Sequence, residues 1–89
     1  FTVGTIVVAV GAQPLKPTGQ YGYGKMPNVI TQLELEERMK KGEPIGQNIV
    51  MINCVGARVP ERTYCSRICC MTAIKNAFLI KESNPKSKV

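Results

Sequence analysis

All four cysteines of this chain fall between residues 54 and 70, in the spacing C-x10-C-x3-C-C, and the sequence has no histidine. That cluster constrains the chain more than any other feature. Cys54 closes an apolar run, while Cys65, Cys69 and Cys70 open a segment with helical periodicity. Residues four apart share a helix face and adjacent ones diverge by about 100°. Cys65 and Cys69 can therefore point together, with Cys70 to one side and Cys54 arriving from the preceding run. Four thiolates converging on one point form the ligand set of a [4Fe–4S] cluster or of an all-cysteine zinc site. The adjacent pair Cys69–Cys70 suits a multi-iron cubane, whose corners take ligands from spread directions. It suits a single tetrahedral zinc less well, because zinc sites use more widely spaced pairs.

Blander readings compete with the metal. Cysteine is often a small buried hydrophobe. A disulfide framework is disfavoured because neighbouring Cys69 and Cys70 hardly pair with each other and nothing indicates secretion. A thiol/disulfide redox pair would want C-x-x-C, which C-x3-C matches poorly. The iron–sulfur reading leads, with a zinc-stapled structural or binding module as its rival.

At 89 residues the chain makes one small domain at most, with a marginal core. It begins at Phe1, without methionine or a basic leader, and the expectation is a piece of a longer polypeptide in a cytoplasmic protein. No apolar run reaches the ~20 residues that span a bilayer. The net charge of +6 does not argue for nucleic acid. Lys40, Lys41, Lys86 and Lys88 sit at segment ends, and three tyrosines and two phenylalanines are too few for a stacking surface. Arg58, Arg62 and Arg67 lie inside the cysteine segment instead. There, positive charge lowers thiol pKa values and offsets the negative charge of a thiolate-ligated cluster.

The pattern predicts two strands and two main helices. Thr2–Ala12 is β-branched and nearly continuously apolar, as a central parallel strand would be. Gln13–Pro27 is a Gly/Pro-punctuated loop. A helix follows over Gln32–Lys41, with Thr31 and Glu34 in capping-box spacing and Gly42 as its stop. Gln47–Cys54 reads as the second strand. A second helix is expected over Ser66–Lys81, capped by Ser66 or Cys65, with Met71, Ile74 and Phe78 as its apolar stripe and Leu79 and Ile80 on the flank. The fold class expected is α/β, a fragment of a Rossmann-like FAD/NAD(P)-type flavoprotein. Strand, glycine turn and helix are the elements of a dinucleotide site, but Gly56 is not followed by the further glycines of that fingerprint. Nucleotide binding at this turn is therefore not expected.

The segments Ile52–Arg58, Tyr64–Met71 and Ala73–Lys75 closely resemble the A subunit of heterodisulfide reductase, an iron–sulfur flavoprotein with a thioredoxin-reductase-like framework. Val3–Gly11 and Tyr21–Thr31 are similar to that family's strand and loop, with Val10 standing where the family has threonine. The resemblance implies cluster ligands at Cys54, Cys65, Cys69 and Cys70. It implies an FAD-proximal turn at Gly11, although the glycine-rich FAD fingerprint itself is absent from these residues. Residues 1–46 would be a piece of the flavin-domain framework, and residues 47–89 would carry the cluster. The parent would pass electrons between FAD and iron–sulfur clusters, working with other subunits of a heterodisulfide-reductase-like complex. This segment would not turn over substrate alone. Uncovered apolar strands also lead to the expectation that the isolated metal-free chain self-associates through strand pairing or is loosely folded.

Overall fold

Thr31 starts the first helix as its sequence spacing requires. Its backbone is extended, its Oγ1 accepts from the Glu34 amide at 3.3 Å, and its own amide donates to Glu34 Oε2 at 2.6 Å. This reciprocal pair satisfies amides that a helix start leaves without partners. The Tyr23 hydroxyl donates to Glu34 Oε1 at 2.9 Å, so the loop ahead of the helix is pinned to the same carboxylate. The resulting helix α1 spans Gln32–Lys40. At its end Gly42, at φ 71°, donates to the Met39 carbonyl while Glu43 donates to that of Arg38. Those two bonds are a Schellman ending, which calls for a residue tolerant of positive φ.

The computed structural model describes all 89 residues and contains one further regular element, helix α2 (Cys69–Ser83). It begins three residues later than expected. Arg67 sits at φ 63°, which interrupts helical geometry, and Ile68 takes the cap position without a side-chain hydrogen bond. Thr72 is the first residue whose amide reaches back to the cap carbonyl, at 3.0 Å. The helix stops at Asn84, and Lys81 Nζ donates to the Pro85 and Ser87 carbonyls, folding the tail against the last turn.

No β-strand forms, so the expected two-strand α/β, Rossmann-like fragment is corrected to two helices joined by irregular chain. A strand exists only through a ladder to a neighbour, and neither apolar run has one. Val7, Val8 and Val10 stand 84%, 77% and 89% exposed. Gln47–Cys54 makes a single parallel bridge, Asn48 to Lys88, with Lys88 donating to Gln47 and Ile49 donating to Lys88 at 2.7 and 2.8 Å. Parallel pairing needs a long crossover, and here the crossover contains the cysteine loop and α2.

The stripe expected to be core is also corrected. Met71, Ile74 and Phe78 lie exposed, and α2 instead buries Ala73, Asn76 and Ile80. Those residues, with Leu35 of α1 and Ser87, are all that is buried. Asn76 and Lys75 tie α2 to α1. Asn76 Nδ2 donates to Gln32 Oε1 at 2.8 Å and to Glu36 Oε1 at 3.2 Å, and Lys75 Nζ pairs with Glu36 at 2.7 Å. Lys75 holds the Glu36 carboxyl below the usual carboxylate range. The surface of 7766 Å² compares with about 5,200 Å² for a compact chain of this mass. The radius of gyration of 16.5 Å compares with about 12 Å. No helix is long and apolar enough to cross a membrane.

Candidate metal centre

The cysteine loop is built from three local devices. Cys54, at φ 60°, accepts from the Ala57 amide at 3.1 Å, and Gly56 at φ 72° occupies the third position of that turn, as a type II turn requires. Val59 and Arg62 exchange two backbone bonds across Pro60-Glu61, forming a small hairpin whose base is joined by Arg58 donating to Tyr64. Arg62 Nη1 reaches the Gly56 carbonyl at 3.4 Å, closing the hairpin onto the turn. The hairpin returns the chain to Cys65, the left-handed Arg67 reverses it again, and α2 starts on Cys69.

These reversals bring the four cysteines into one neighbourhood. Cys69 accepts from the Ser66 hydroxyl at 3.3 Å, so Ser66 serves a sulfur instead of capping the helix. That bond, with the Cys54 amide and then Cys70 as lesser donors, lowers the Cys69 thiol below its usual range. Cys70 is pushed the other way, first by the charge of Cys69 and then, more weakly, by Cys54 and Cys65. Cys65 Sγ accepts from the Arg67 amide at 3.3 Å. All four remain free thiols; Cys65 and Cys70 are exposed and Cys54 and Cys69 half-buried. Their sulfurs do not stand in a metal's coordination geometry, as no group of three or more ligand-type side chains does. The sulfurs of Cys65 and Cys69 are each held by a local donor, the Arg67 amide and the Ser66 hydroxyl.

The cysteine segment carries a net positive charge, Arg58, Arg62 and Arg67 against Glu61. α2 carries no acidic residue in its first turn, and Arg58, Arg62 and Arg67 of the cysteine segment are all exposed. Net positive charge of this kind suits an anionic cluster. In donor chemistry the residues therefore fit an iron–sulfur group: four reduced thiols and no oxygen or nitrogen ligand among them. Gly11, the expected flavin-side turn, adopts φ 71° and lies exposed. A Cβ at this position would meet nothing within 4 Å, so the positive φ alone calls for glycine here. Sequence reasoning missed Ser66 as a sulfur partner and Leu15 as a neighbour of the cysteine loop. Neither has a motif that would have marked it.

No family model matches the sequence, and no solved structure matches it. Curated proteins do. Over 103 aligned positions the chain is 44% identical to the iron–sulfur A subunit of CoB–CoM heterodisulfide reductase from Methanocaldococcus jannaschii, covering 98% of this chain and 16% of that protein. It is 42% identical to the first of the numbered iron–sulfur A subunits of the same enzyme from Methanopyrus kandleri, with the same coverage. To the A subunit of the ferredoxin:CoB–CoM heterodisulfide reductase of Methanosarcina mazei it is 32% identical, over 100% of this chain and 13% of that protein. The chain accordingly belongs, as a stretch matching about a sixth of the whole protein, to the family of heterodisulfide reductase A subunits.

Proposed function

We propose that this segment carries one [4Fe–4S] cluster on Cys54, Cys65, Cys69 and Cys70 and serves as an electron relay in a heterodisulfide-reductase-like oxidoreductase. The observation that carries the reading is that the only four cysteines lie within residues 54–70, all free thiols, with the Ser66 hydroxyl and the Arg67 amide donating to sulfur. The relatives' designation as iron–sulfur subunits supports it. When bound, such a cluster supplies one-electron transfer without proton chemistry. The chain's own part is to hold and tune. The cysteines anchor, Ser66 and the Cys54 and Arg67 amides donate to sulfur, and the arginines offset negative charge. Hydrogen bonds to sulfur and nearby positive charge both raise a reduction potential by favouring the more negative, reduced state.

In this reading residues 47–89 carry the relay and residues 1–46 belong to the flavin side, with the Gly11 turn as the approach to FAD in the parent protein. Other subunits receive the electrons, and the location is cytoplasmic. Anaerobic preparation with iron and sulfide tests the proposal. The expected result is four irons and four sulfides per chain, a broad visible absorption that bleaches on reduction, and loss of that absorption in the Cys65→Ser and Cys69→Ser variants. One tightly held zinc and no iron uptake would overturn it in favour of the zinc-stapled module.

A further inference from the structure

Gly56 is a closer-packed position than its place in an exposed loop suggests. A Cβ built on it would overlap Leu15 Cδ2 and lie 3.4 Å from Leu15 Cγ. The Leu15 side chain thus rests directly on the bare Cα of the turn that follows Cys54. Leu15 is 45% exposed, so burial in a core does not account for its position. Pro14 and Pro17 flank it, fixing φ on either side and restricting the residues before them. The leucine is therefore presented on a short, stiff strut. That strut begins at the Gly11 turn, and it ends on the loop that orients the first cysteine. Gly56 meets two demands at once: a positive φ for the type II turn and an open face for the leucine.

We infer that Leu15 is a positioning residue for the cysteine site, clamping the Cys54–Ala57 turn so that Cys54 faces Cys69. The inference rests on the iron–sulfur reading for its consequence and on the Leu15–Gly56 contact for its geometry. The clamp also connects the two halves of the chain at the point where one would approach the flavin and the other the cluster. Removing it frees the turn, and Cys54 leaves the group first.

The test uses the full chain in two arms. In the first, the iron-loaded chain is challenged with a ferrous chelator. Leu15→Ala should lose iron roughly tenfold faster than the unsubstituted chain, as loss of a supporting contact around metal ligands does. The electron paramagnetic resonance of its reduced cluster should change, Leu15→Met should restore both properties, and far-ultraviolet circular dichroism should stay the same. An unchanged rate and an unchanged spectrum would overturn the inference. In the second arm the iron-free chain is alkylated with iodoacetamide at fixed pH and the labelled cysteines are resolved by mass. Leu15→Ala should label Cys54 several-fold faster and leave Cys65 unaffected; equal labelling of Cys54 refutes the clamp. If the unsubstituted chain takes up no iron, the iron–sulfur reading fails while the second arm still decides the contact. Should Leu15→Ala lose helicity, Gly56→Ala decides. It should perturb Cys54 labelling less when paired with a smaller residue at 15, Leu15→Val, and equal perturbation in both backgrounds rules the contact out.

Discussion

Asn76 sits at 0% exposure between two helices, and three substitutions there separate the forces acting on it. Its amide nitrogen makes two hydrogen bonds, one to neutral Gln32 and one to charged Glu36, while its Oδ1 is buried with no partner. Losing the first bond costs about 1 kcal/mol and losing the second about 1.5–3 kcal/mol. Deleting the orphaned oxygen returns about 1–3 kcal/mol, because its desolvation is no longer uncompensated. Asn76→Ala should therefore destabilise the helix pair by about 1–2 kcal/mol once the small void is included. Asn76→Leu, which fills the space with apolar atoms, should be milder. Asn76→Asp keeps the shape but replaces a donor with a carboxylate 3.2 Å from where Glu36 now accepts. That like-charge contact, partly screened by Lys75 on the same Glu36 oxygen, should make this the most destabilising of the three, by about 2–3 kcal/mol, and should ease as the pH falls. Urea titration followed by circular dichroism, with amide exchange of Asn76–Ile80 as the local probe, gives the order. If Asn76→Asp lies within about 0.5 kcal/mol of the unsubstituted chain at neutral pH, the polar interface between α1 and α2 is wrong.

Two further outcomes follow from the first half of the chain. The Thr31 amide, before Tyr23, holds the Glu34 carboxyl below its usual range, so this group binds fewer protons folded than unfolded. Its stabilisation is complete above the unfolded carboxyl pKa of about 4.3 and is lost as the pH falls through the lower folded value. Helicity of α1 should decline over that acid window, and Glu34→Gln should flatten the decline in a circular-dichroism titration; an unaltered acid profile contradicts the cap. Val3–Val10 presents bare backbone and exposed β-branched side chains, so the metal-free chain should associate with rising concentration, and Val7→Lys should reduce this. Sedimentation giving a strict monomer for both chains counts against that expectation.

What the sequence disclosed and what it hid divide along a physical line. The capping box at Thr31 and the glycine stop at Gly42 are complete within a few residues, and α1 begins and ends where they stand. The cysteine spacing is local and legible, but the structure does not bring the four sulfurs into a metal's coordination geometry. Thr2–Ala12 and Gln47–Cys54 read as strands because β-branched composition is a property of the segment, whereas strand formation is a property of its neighbours. On α2 the apolar periodicity of Met71, Ile74 and Phe78 is real, yet the helix turned that stripe outward. Asn76, Gln32, Glu36 and Lys75 supplied polar partners for the opposite face, and no periodicity rule weighs such bonds. The start of α2 was misplaced because Ser66 reads as a cap until its hydroxyl is seen bonded to Cys69.

The bridge between Asn48 and Lys88 has a consequence in time. All four cysteines lie inside the loop that it closes, and Lys88 follows every one of them. Eighteen positions separate Cys70 from Lys88. At synthesis rates of about 5–20 residues per second, roughly one to four seconds pass between the appearance of the last thiol and the residue that shuts the loop. During that interval the thiols are all present and the ring around them is open. Under the proposed iron–sulfur reading, a bulky inorganic group would enter most easily then, before the tail folds back along α2, and the order of emergence would set the window for loading.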